Sequence, residues 1–260
     1  MYLQLKYILS VLVLSLLTYQ VQCSLKRVKR IVGGSAVENE EKLLSAVSMQ
    51  ILNKTGHPMH FCGGTYVGNG WIVTASHCLT INMHEKHDIF VEIGSKNLYE
   101  DPQKLIEINE IHFLPFDTVT YSNDIALIRL PEAYTDLPGN VGLPHNPVPV
   151  TEYRDCSIFG YGSVEFLREI SAQFREAPIE IQTAQACAEA LVPYAPDYNL
   201  GMFCAGGGHT DACQGDSGSG LICSGLLVGV VSYGSSCGVP GNPGVYTTVQ
   251  HHMEWIEKIM

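Results

Sequence analysis

After its first 23 residues, this 260-residue sequence has no apolar stretch long enough to cross a bilayer core of about 30 Å. The apolar stretch near the start, residues 8–17, is also too short, which argues against the alternative of a membrane span. It follows Lys6 and is followed by Val21-Gln22-Cys23, the pattern of a cleaved secretory signal peptide. We therefore predict a signal peptide over residues 1–23 and a secreted, soluble, extracellular product.

Basic residues are scarce. The chain has 15 Lys and Arg against 26 Asp and Glu, a net charge of −11. Five of the 15 lie in the first thirty residues, which contain no acid, so a chain beginning at Ile31 keeps 10 basic residues and has a charge of −16. Such a charge makes nucleic acids and anionic membranes poor partners. The simplest interpretation of this negative charge is that it keeps the protein soluble. The alternative is a mild preference for cationic substrates.

Cysteine patterns typical of metal sites are absent. No Cys-x-x-Cys pair and no clustered Cys/His set occurs, so we expect no metal and no cofactor. Of nine cysteines, Cys23 lies at the predicted signal cleavage point. The eight that remain are an even number, which in an oxidising compartment indicates four disulfides. Their spacing alone leaves about a hundred pairings open.

The sequence contains no repeat, linker or low-complexity tract, and it consists mainly of short apolar or β-branched runs between turn signals. The strongest signal is Gly68-Asn69-Gly70, which predicts a hairpin between strands at Phe61–Val67 and Trp71–Ala75. Further strands are predicted at residues 89–93, 125–130, 156–159, 221–223, 226–233 and 245–249. The pattern predicts one β-rich unit, either barrels or sandwiches.

Helical periodicity is confined to two places. Residues 184–191 predict a short helix with Thr183 as its N-cap. Near the C-terminus, apolar residues at helical spacing predict a last helix with one face packed on the body: Val249, Met253, Ile256 and Met260.

Three short motifs together predict nucleophilic catalysis. Gly215-Asp216-Ser217-Gly218 presents a serine on a tight turn, Thr74-Ala75-Ser76-His77-Cys78 offers a histidine, and Ser122-Asn123-Asp124 offers an acid. Taken singly, each has an ordinary interpretation as a turn or a packed residue. Serine is a poor nucleophile unless a base takes its proton and a third group fixes that base. The combination therefore predicts Ser217, His77 and Asp124 in those roles.

With these motifs the chain resembles the trypsin-like serine proteases of the chymotrypsin family over essentially all of residues 31–260. The resemblance implies an all-β fold of two six-stranded antiparallel Greek-key β-barrels, with the active site between them and a C-terminal helix. It also implies that Ser217 attacks the peptide carbonyl, that His77 accepts and returns the proton, and that Asp124 holds the imidazole. The N–H groups of Gly215 and Ser217 would then form the oxyanion hole.

The resemblance extends to the substrate pocket. Asp211, six residues before Ser217, matches the carboxylate at the base of the primary pocket, and Gly234 and Gly244 match its two wall positions. A buried carboxylate is costly unless a cation joins it, which favours Arg or Lys before the scissile bond. The alternative is that Asp211 is an ordinary acid of a surface loop.

The resemblance further implies four disulfides and an activation step. The implied pairs are Cys62–Cys78, Cys156–Cys223, Cys187–Cys204 and Cys213–Cys237. Residues 24–30 would form a pro-segment, and cleavage after Arg30 would free the amine of Ile31 to pair with Asp216. The run Arg27-Val28-Lys29-Arg30 also resembles the site of secretory-pathway convertases.

Some positions depart from the family pattern. Ser76 stands where alanine is commoner, and Ser219-Gly220 replace a usual Gly-Pro. If position 219 requires φ > 0, its serine costs about 1 kcal/mol of strain. Ser95 stands where calcium-binding members carry an acid, which argues against a calcium site, although Glu100 and Asp101 remain candidate ligands. Asn53-Lys54-Thr55 is one glycosylation sequon.

These patterns predict a secreted, monomeric serine endopeptidase, made as a zymogen, that cleaves proteins or peptides after Arg or Lys. Protein inhibitors are further candidate partners. The alternative from another class is a catalytically silent homologue that serves as a binding or decoy protein. A protease of narrow specificity, of the processing or venom type, is the alternative among enzymes.

Overall fold

A computed structural model describes residues 34–37, 40–80, 86–99, 104–139, 141–146, 148–163 and 170–260. The predicted signal peptide and pro-segment, Arg30 and Ile31 lie outside these residues, as do Glu100 and Asp101. Among the described helices, none is both long and apolar enough to span a bilayer.

The first half of the chain forms one antiparallel sheet. Its strands are β2 (Ala46–Leu52), β3 (Pro58–Gly68), β4 (Trp71–Thr74), β5 (Ile89–Ile93), β6 (Ile106–Glu107), β7 (Glu110–Phe113) and β8 (Ala126–Arg129). They are ordered β6-β5-β2-β3-β4-β8-β7. The two edge strands, β6 and β7, are separated along the chain by only Ile108 and Asn109, so the sheet curls until its edges meet.

The second half forms the other antiparallel sheet, together with β1 (Ser35–Ala36). Its strands are β9 (Cys156–Gly160), β10 (Arg175–Pro178), β11 (Met202–Gly206), β12 (Gly220–Cys223), β13 (Leu226–Tyr233) and β14 (Pro243–Thr248). The order is β1-β10-β9-β12-β13-β14-β11. The chain after β10 returns to β11, where Gln182 N donates to Cys204 O at 2.8 Å and Gly206 N donates to Glu180 O at 2.9 Å. This contact closes the second sheet.

The predicted all-β fold of two antiparallel barrels with a C-terminal helix is therefore confirmed, although each sheet has seven strands rather than six. The extra strand has a different origin in each sheet. In the first, the segment that closes the barrel is interrupted at Ile108 and Asn109, so it counts as two strands, β6 at one edge and β7 at the other. In the second, the two-residue strand β1 pairs with the edge of β10, with Ser35 opposite Glu176.

Each barrel surrounds its own apolar core. Val47, Ile72 and Leu127 are among the buried side chains of the first, and Phe203, Leu221 and Tyr246 are among those of the second. Burying one such side chain stabilises the fold by about 1.5–3 kcal/mol, and these cores hold the loops that carry the predicted catalytic residues.

The local predictions agree closely with the structure. Gly68, Asn69 and Gly70 all have positive φ in the β3–β4 turn. Thr183 caps the helix Ala184–Ala190, where its side chain accepts from Ala186 N. The last helix, Met253–Ile259, buries Met253 and Ile256. Met260 was predicted to pack with them, which is wrong: the helix ends one residue earlier and this side chain is 41% exposed.

Candidate active site

The predicted base and acid lie on adjacent loops of the first barrel. His77 belongs to the short helix Ser76–Thr80 that directly follows β4, and Asp124 precedes β8. Because Thr74 of β4 pairs with Ala126 of β8, the two loops leave the barrel side by side. Ser76, which stands where alanine is commoner, connects the two loops, because its hydroxyl donates to Ile125 O at 2.7 Å.

Asp124 holds the imidazole of His77 in one orientation. Its Oδ2 lies 2.7 Å from His77 Nδ1, and its Oδ1 accepts from the His77 backbone N at 2.8 Å. Ser232 Oγ also donates to Oδ2, at 2.5 Å, and Asp124 is fully buried. A carboxylate next to Nδ1 places the ring proton on that nitrogen and leaves Nε2 free to accept another.

Ser217 comes from the second barrel, in the loop before β12. Its carbonyl accepts from Gly63 N at 2.8 Å, which ties this loop to β3 of the first barrel. The Cys78 sulfur lies 3.7 Å from Ser217 O and 3.7 Å from His77 Nε2, so all three residues meet. No hydrogen bond between Ser217 Oγ and His77 Nε2 is present among the described residues. Such catalytic hydrogen bonds are often long before substrate binds.

The backbone before Ser217 presents unused donors. Gly215 has φ 91, and in the part of the chain that the structure describes neither its N–H nor that of Ser217 donates to a protein acceptor. Two N–H groups without a protein acceptor, one of them on the nucleophile itself, are what an oxyanion hole requires. The Gly215 carbonyl does have a protein partner, because its oxygen lies 2.9 Å from His60 Nε2.

The strain considered for Ser219 does not occur. The positive φ in this turn falls on Gly218 (φ 82), while Ser219 is not among the residues with positive φ. Gly220 is required for a different reason: a Cβ there would lie 2.4 Å from Thr65 Oγ1 and 2.6 Å from Leu227 Cδ1.

A cavity of about 190 Å³ opens beside Ser217. Its walls include Tyr233, Gly234 and Gly244. A Cβ added at Gly234 would meet no protein atom closer than 3.6 Å, and one at Gly244 none closer than 3.4 Å. The protein itself has room for side chains at both positions, so the glycines leave that volume to whatever enters the cavity.

Asp211 does not line this cavity itself, but its neighbour Ala212 does. Asp211 is 1% exposed, which is inconsistent with a surface-loop acid. Its Oδ2 accepts from Gly238 N at 3.0 Å. Its Oδ1 has no hydrogen-bond partner among the described residues, and it lies 3.4 Å from the position that a Cβ would take at Gly244 in the cavity wall. Burial raises the pKa of Asp211 to about 6, and the N–H donors of Gly238 and Ala212 offset only part of that increase.

Asp216 is a second buried acid. Its Oδ1 accepts from Gly162 N and its Oδ2 from Cys213 N, both at 2.9 Å. Burial raises its pKa to about 7 despite these donors. Gly160 and Gly162 make room for it, since a Cβ at either would lie within 2.3 Å of the carboxylate. Among the described residues no Lys or Arg pairs with it.

The eight cysteines of the described chain lie in four bonded pairs: Cys62–Cys78, Cys156–Cys223, Cys187–Cys204 and Cys213–Cys237. The first and last flank the base and the cavity. Cys62, His77 and Cys78 are also the one described group close enough to share a metal ion. Both sulfurs are used in a disulfide, so this group is no metal site.

Sequence reasoning missed two residues of this region, Ser232 and His60. Ser232 is one residue before Tyr233 in an otherwise apolar strand, and a buried hydroxyl there is a signal that it has a partner. His60 gave no sequence signal, because its contact with Gly215 joins residues from different barrels.

Known proteins match this chain over most of its length. A family model described as Trypsin matches residues 31–256. Serine protease 1 of Homo sapiens is 35% identical over 240 residues, covering 88% of each chain. Trypsin 5G1 of Aedes aegypti is 34% identical over 235 residues, covering 88% of this chain and 85% of its own. Kallikrein-14 of Homo sapiens is 31% identical over 211 residues, covering 76% and 74%. The chain belongs to the trypsin family and is a trypsin-like serine endopeptidase.

Proposed function

We propose that this endopeptidase cleaves protein substrates after Arg or Lys, with Ser217 as nucleophile, His77 as general base and Asp124 as the group that orients it. The single observation that carries the specificity is the Oδ1 of Asp211, which has no partner among the described residues and lies next to Gly244 in the wall of the cavity beside Ser217. A buried carboxylate oxygen without a partner is costly, and an incoming guanidinium or ammonium would satisfy it. Gly234 and Gly244 leave the width that a long basic side chain needs.

Replacing Asp211 by serine tests this specificity. Losing one partner of a buried ion pair costs about 3–5 kcal/mol, so kcat/KM for an Arg or Lys substrate should fall on the order of 10²–10⁴-fold. A substrate with a neutral side chain should lose far less. Parallel hydrolysis of matched Arg and Leu peptides measures the ratio, and Asp88→Ser, at an exposed acid, is the control. Equal losses on both peptides would show that Asp211 does not select the substrate.

The raised pKa of Asp211 gives a pH test of the same pocket. A cation binds the ionised carboxylate, so binding should be complete well above pH 6 and weaken as the pH falls through about 6. Benzamidine, a cation of fixed charge in this range, should inhibit about tenfold more weakly at pH 5 than at pH 8. In Asp211→Ser the binding should be weak and nearly independent of pH. A tenfold change that persists in Asp211→Ser would assign the titration to another group.

We also propose that the protein is secreted as a monomeric zymogen, with a signal peptide over residues 1–23, a pro-segment over 24–30 and the protease domain over 31–260. Asp216 supports the activation step, because it is a buried acid whose described neighbours include no cation. The run Arg27–Arg30 favours cutting by a convertase. Asn53 lies in the β2–β3 turn, where Thr55 Oγ1 donates to its Oδ1 at 2.7 Å, and we propose it as a glycan acceptor.

A further inference from the structure

Four buried polar side chains cross the first barrel behind the loop of Gly215. Ser48 and Gln50 are fully buried on β2, and His60 on β3 and Glu92 on β5 are each 4% exposed. The strand register places them side by side, with Ser48 opposite Glu92 and Gln50 opposite His60. Burying polar groups costs free energy unless they are hydrogen-bonded, so these four side chains are expected to bond to one another or to nearby backbone groups.

The four side chains form one continuous chain of hydrogen bonds. Gln50 Nε2 donates to Glu92 Oε2 at 2.7 Å and to Ser48 Oγ at 3.0 Å. Ser48 Oγ lies 2.8 Å from His60 Nδ1. His60 Nε2 lies 2.9 Å from the carbonyl oxygen of Gly215. The chain therefore runs from a buried acid in the first barrel to the residue that offers the first predicted oxyanion donor.

The direction of every bond in this chain follows from its first member. A carboxylate only accepts, so it turns the nitrogen of the Gln50 amide toward itself and toward Ser48. The Ser48 hydroxyl then accepts from Gln50 and donates to His60 Nδ1. Burial lowers the pKa of His60 to about 4, so at neutral pH its ring has one proton. That proton is left on Nε2, where it is donated to Gly215 O.

We propose that Glu92 and Gln50 are positioning residues for the oxyanion hole. Gly215 has φ 91 and no side chain to restrict it, so its orientation depends on the hydrogen bonds of its own peptide groups. The relay, meaning the hydrogen-bonded chain Glu92-Gln50-Ser48-His60, fixes the peptide group between Gly215 and Asp216 through its carbonyl. The φ and ψ of Gly215 join that group to the peptide group that carries the Gly215 N–H, so the relay limits the directions in which this N–H can point. Neither Glu92 nor Gln50 touches substrate, and both act through Ser48 and His60. This inference rests on the proposed function, because it assigns work to the proposed oxyanion hole.

Gln50→Met is the test, since it keeps the side-chain volume and removes both donors. We expect kcat for an Arg peptide to fall about 10- to 100-fold, which is no more than the fall that follows removal of one oxyanion donor. The Ki of a peptide boronate, which binds as a tetrahedral anion, should rise by the same factor. The Ki of benzamidine, which needs only the cavity above Asp211, should stay within about twofold. A merely structural role would not separate these two inhibitors.

Two further variants complete the design. Val47→Ala, at a buried residue of the same strand, lowers stability without touching the relay and should leave both Ki values near wild type. Glu92→Gln keeps an acceptor oxygen and should retain kcat within about threefold, whereas Glu92→Leu should behave like Gln50→Met. If Gln50→Met matches Val47→Ala, or weakens benzamidine and boronate equally, the relay is overturned. An inactive wild-type enzyme would instead overturn the proposed function.

Discussion

Replacing Ser217 by alanine should lower kcat by on the order of 10⁶-fold, to a rate set by the remaining binding groups. The reason is that the variant has no oxygen to form the acyl-enzyme, while Asp124 and His77 have nothing to activate. The cavity and Asp211 are unchanged, so benzamidine should bind within about twofold of wild type. Steady-state hydrolysis of an Arg peptide and benzamidine titration on the same preparation provide both values.

Variants of the other two residues test whether the three act as a unit. His77→Ala alone should cost about as much as Ser217→Ala, and the double variant should cost no more than either. Asp124→Asn should cost about 10⁴-fold, because it favours the wrong tautomer of His77. A fluorophosphonate probe should label wild type and fail to label Ser217→Ala. If the loss in the double variant equals the product of the two single losses, the proposed triad is contradicted. If the probe fails to label wild type, the result favours a silent homologue.

The motif residues could be predicted because the chemistry depends on particular side chains in fixed local settings. Ser217, His77 and Asp124 each stand in a short motif, and the three motifs together, in their local contexts and in this order, carry the resemblance to the family. Asp211 could be placed by counting from Ser217. Its orphaned oxygen could not, because that depends on which backbone N–H groups the folded loops bring near it.

Strand β2 shows why part of the fold was missed. Its sequence, Ala46-Val47-Ser48-Met49-Gln50-Ile51-Leu52, has Ser48 and Gln50 fully buried, as are their apolar neighbours Val47 and Met49. A strand that is buried on both faces lacks the alternation that a half-exposed strand displays. The same polar residues form the relay to His60. The two polar residues that break the apolar pattern of β2 were therefore the only local sign of the proposed positioning role.

Cleavage before Ile31 should also have a large effect on kcat. A chain that begins at Ile31 should be active, whereas a chain with one extra residue before Ile31 should lose at least 10²–10³-fold in kcat. A loss of this size follows removal of one oxyanion donor. We expect it because, without a free amine at Ile31, the buried Asp216 has no cation to order the neighbouring turn that carries the donors. Arg30→Gln should block activation by added trypsin, and Arg27→Gln, which keeps the proposed cut, is its control. Equal activity of the two chains would exclude the zymogen mechanism.

Stability gives an independent measure of the same pairing. The pKa of Asp216 is raised from 3.8 to about 7, so folding favours its neutral form. In the uncleaved chain Asp216 therefore contributes a fall in the free energy of unfolding as the pH rises from about 4 to 7, and Asp216→Asn should remove that contribution, seen as a pH-dependent difference between the two proteins. In the chain that begins at Ile31 the amine compensates the charge, so Asp216→Asn should destabilise it by a few kcal/mol at pH 8. Urea unfolding at pH 5 and pH 8, in a Ser217→Ala background that prevents self-digestion, separates the two cases. If Ile31 supplies the cation, Asp216→Asn should lower the free energy of unfolding only in the chain that begins at Ile31. Destabilisation of both chains at pH 8 would therefore exclude Ile31 as the partner of Asp216.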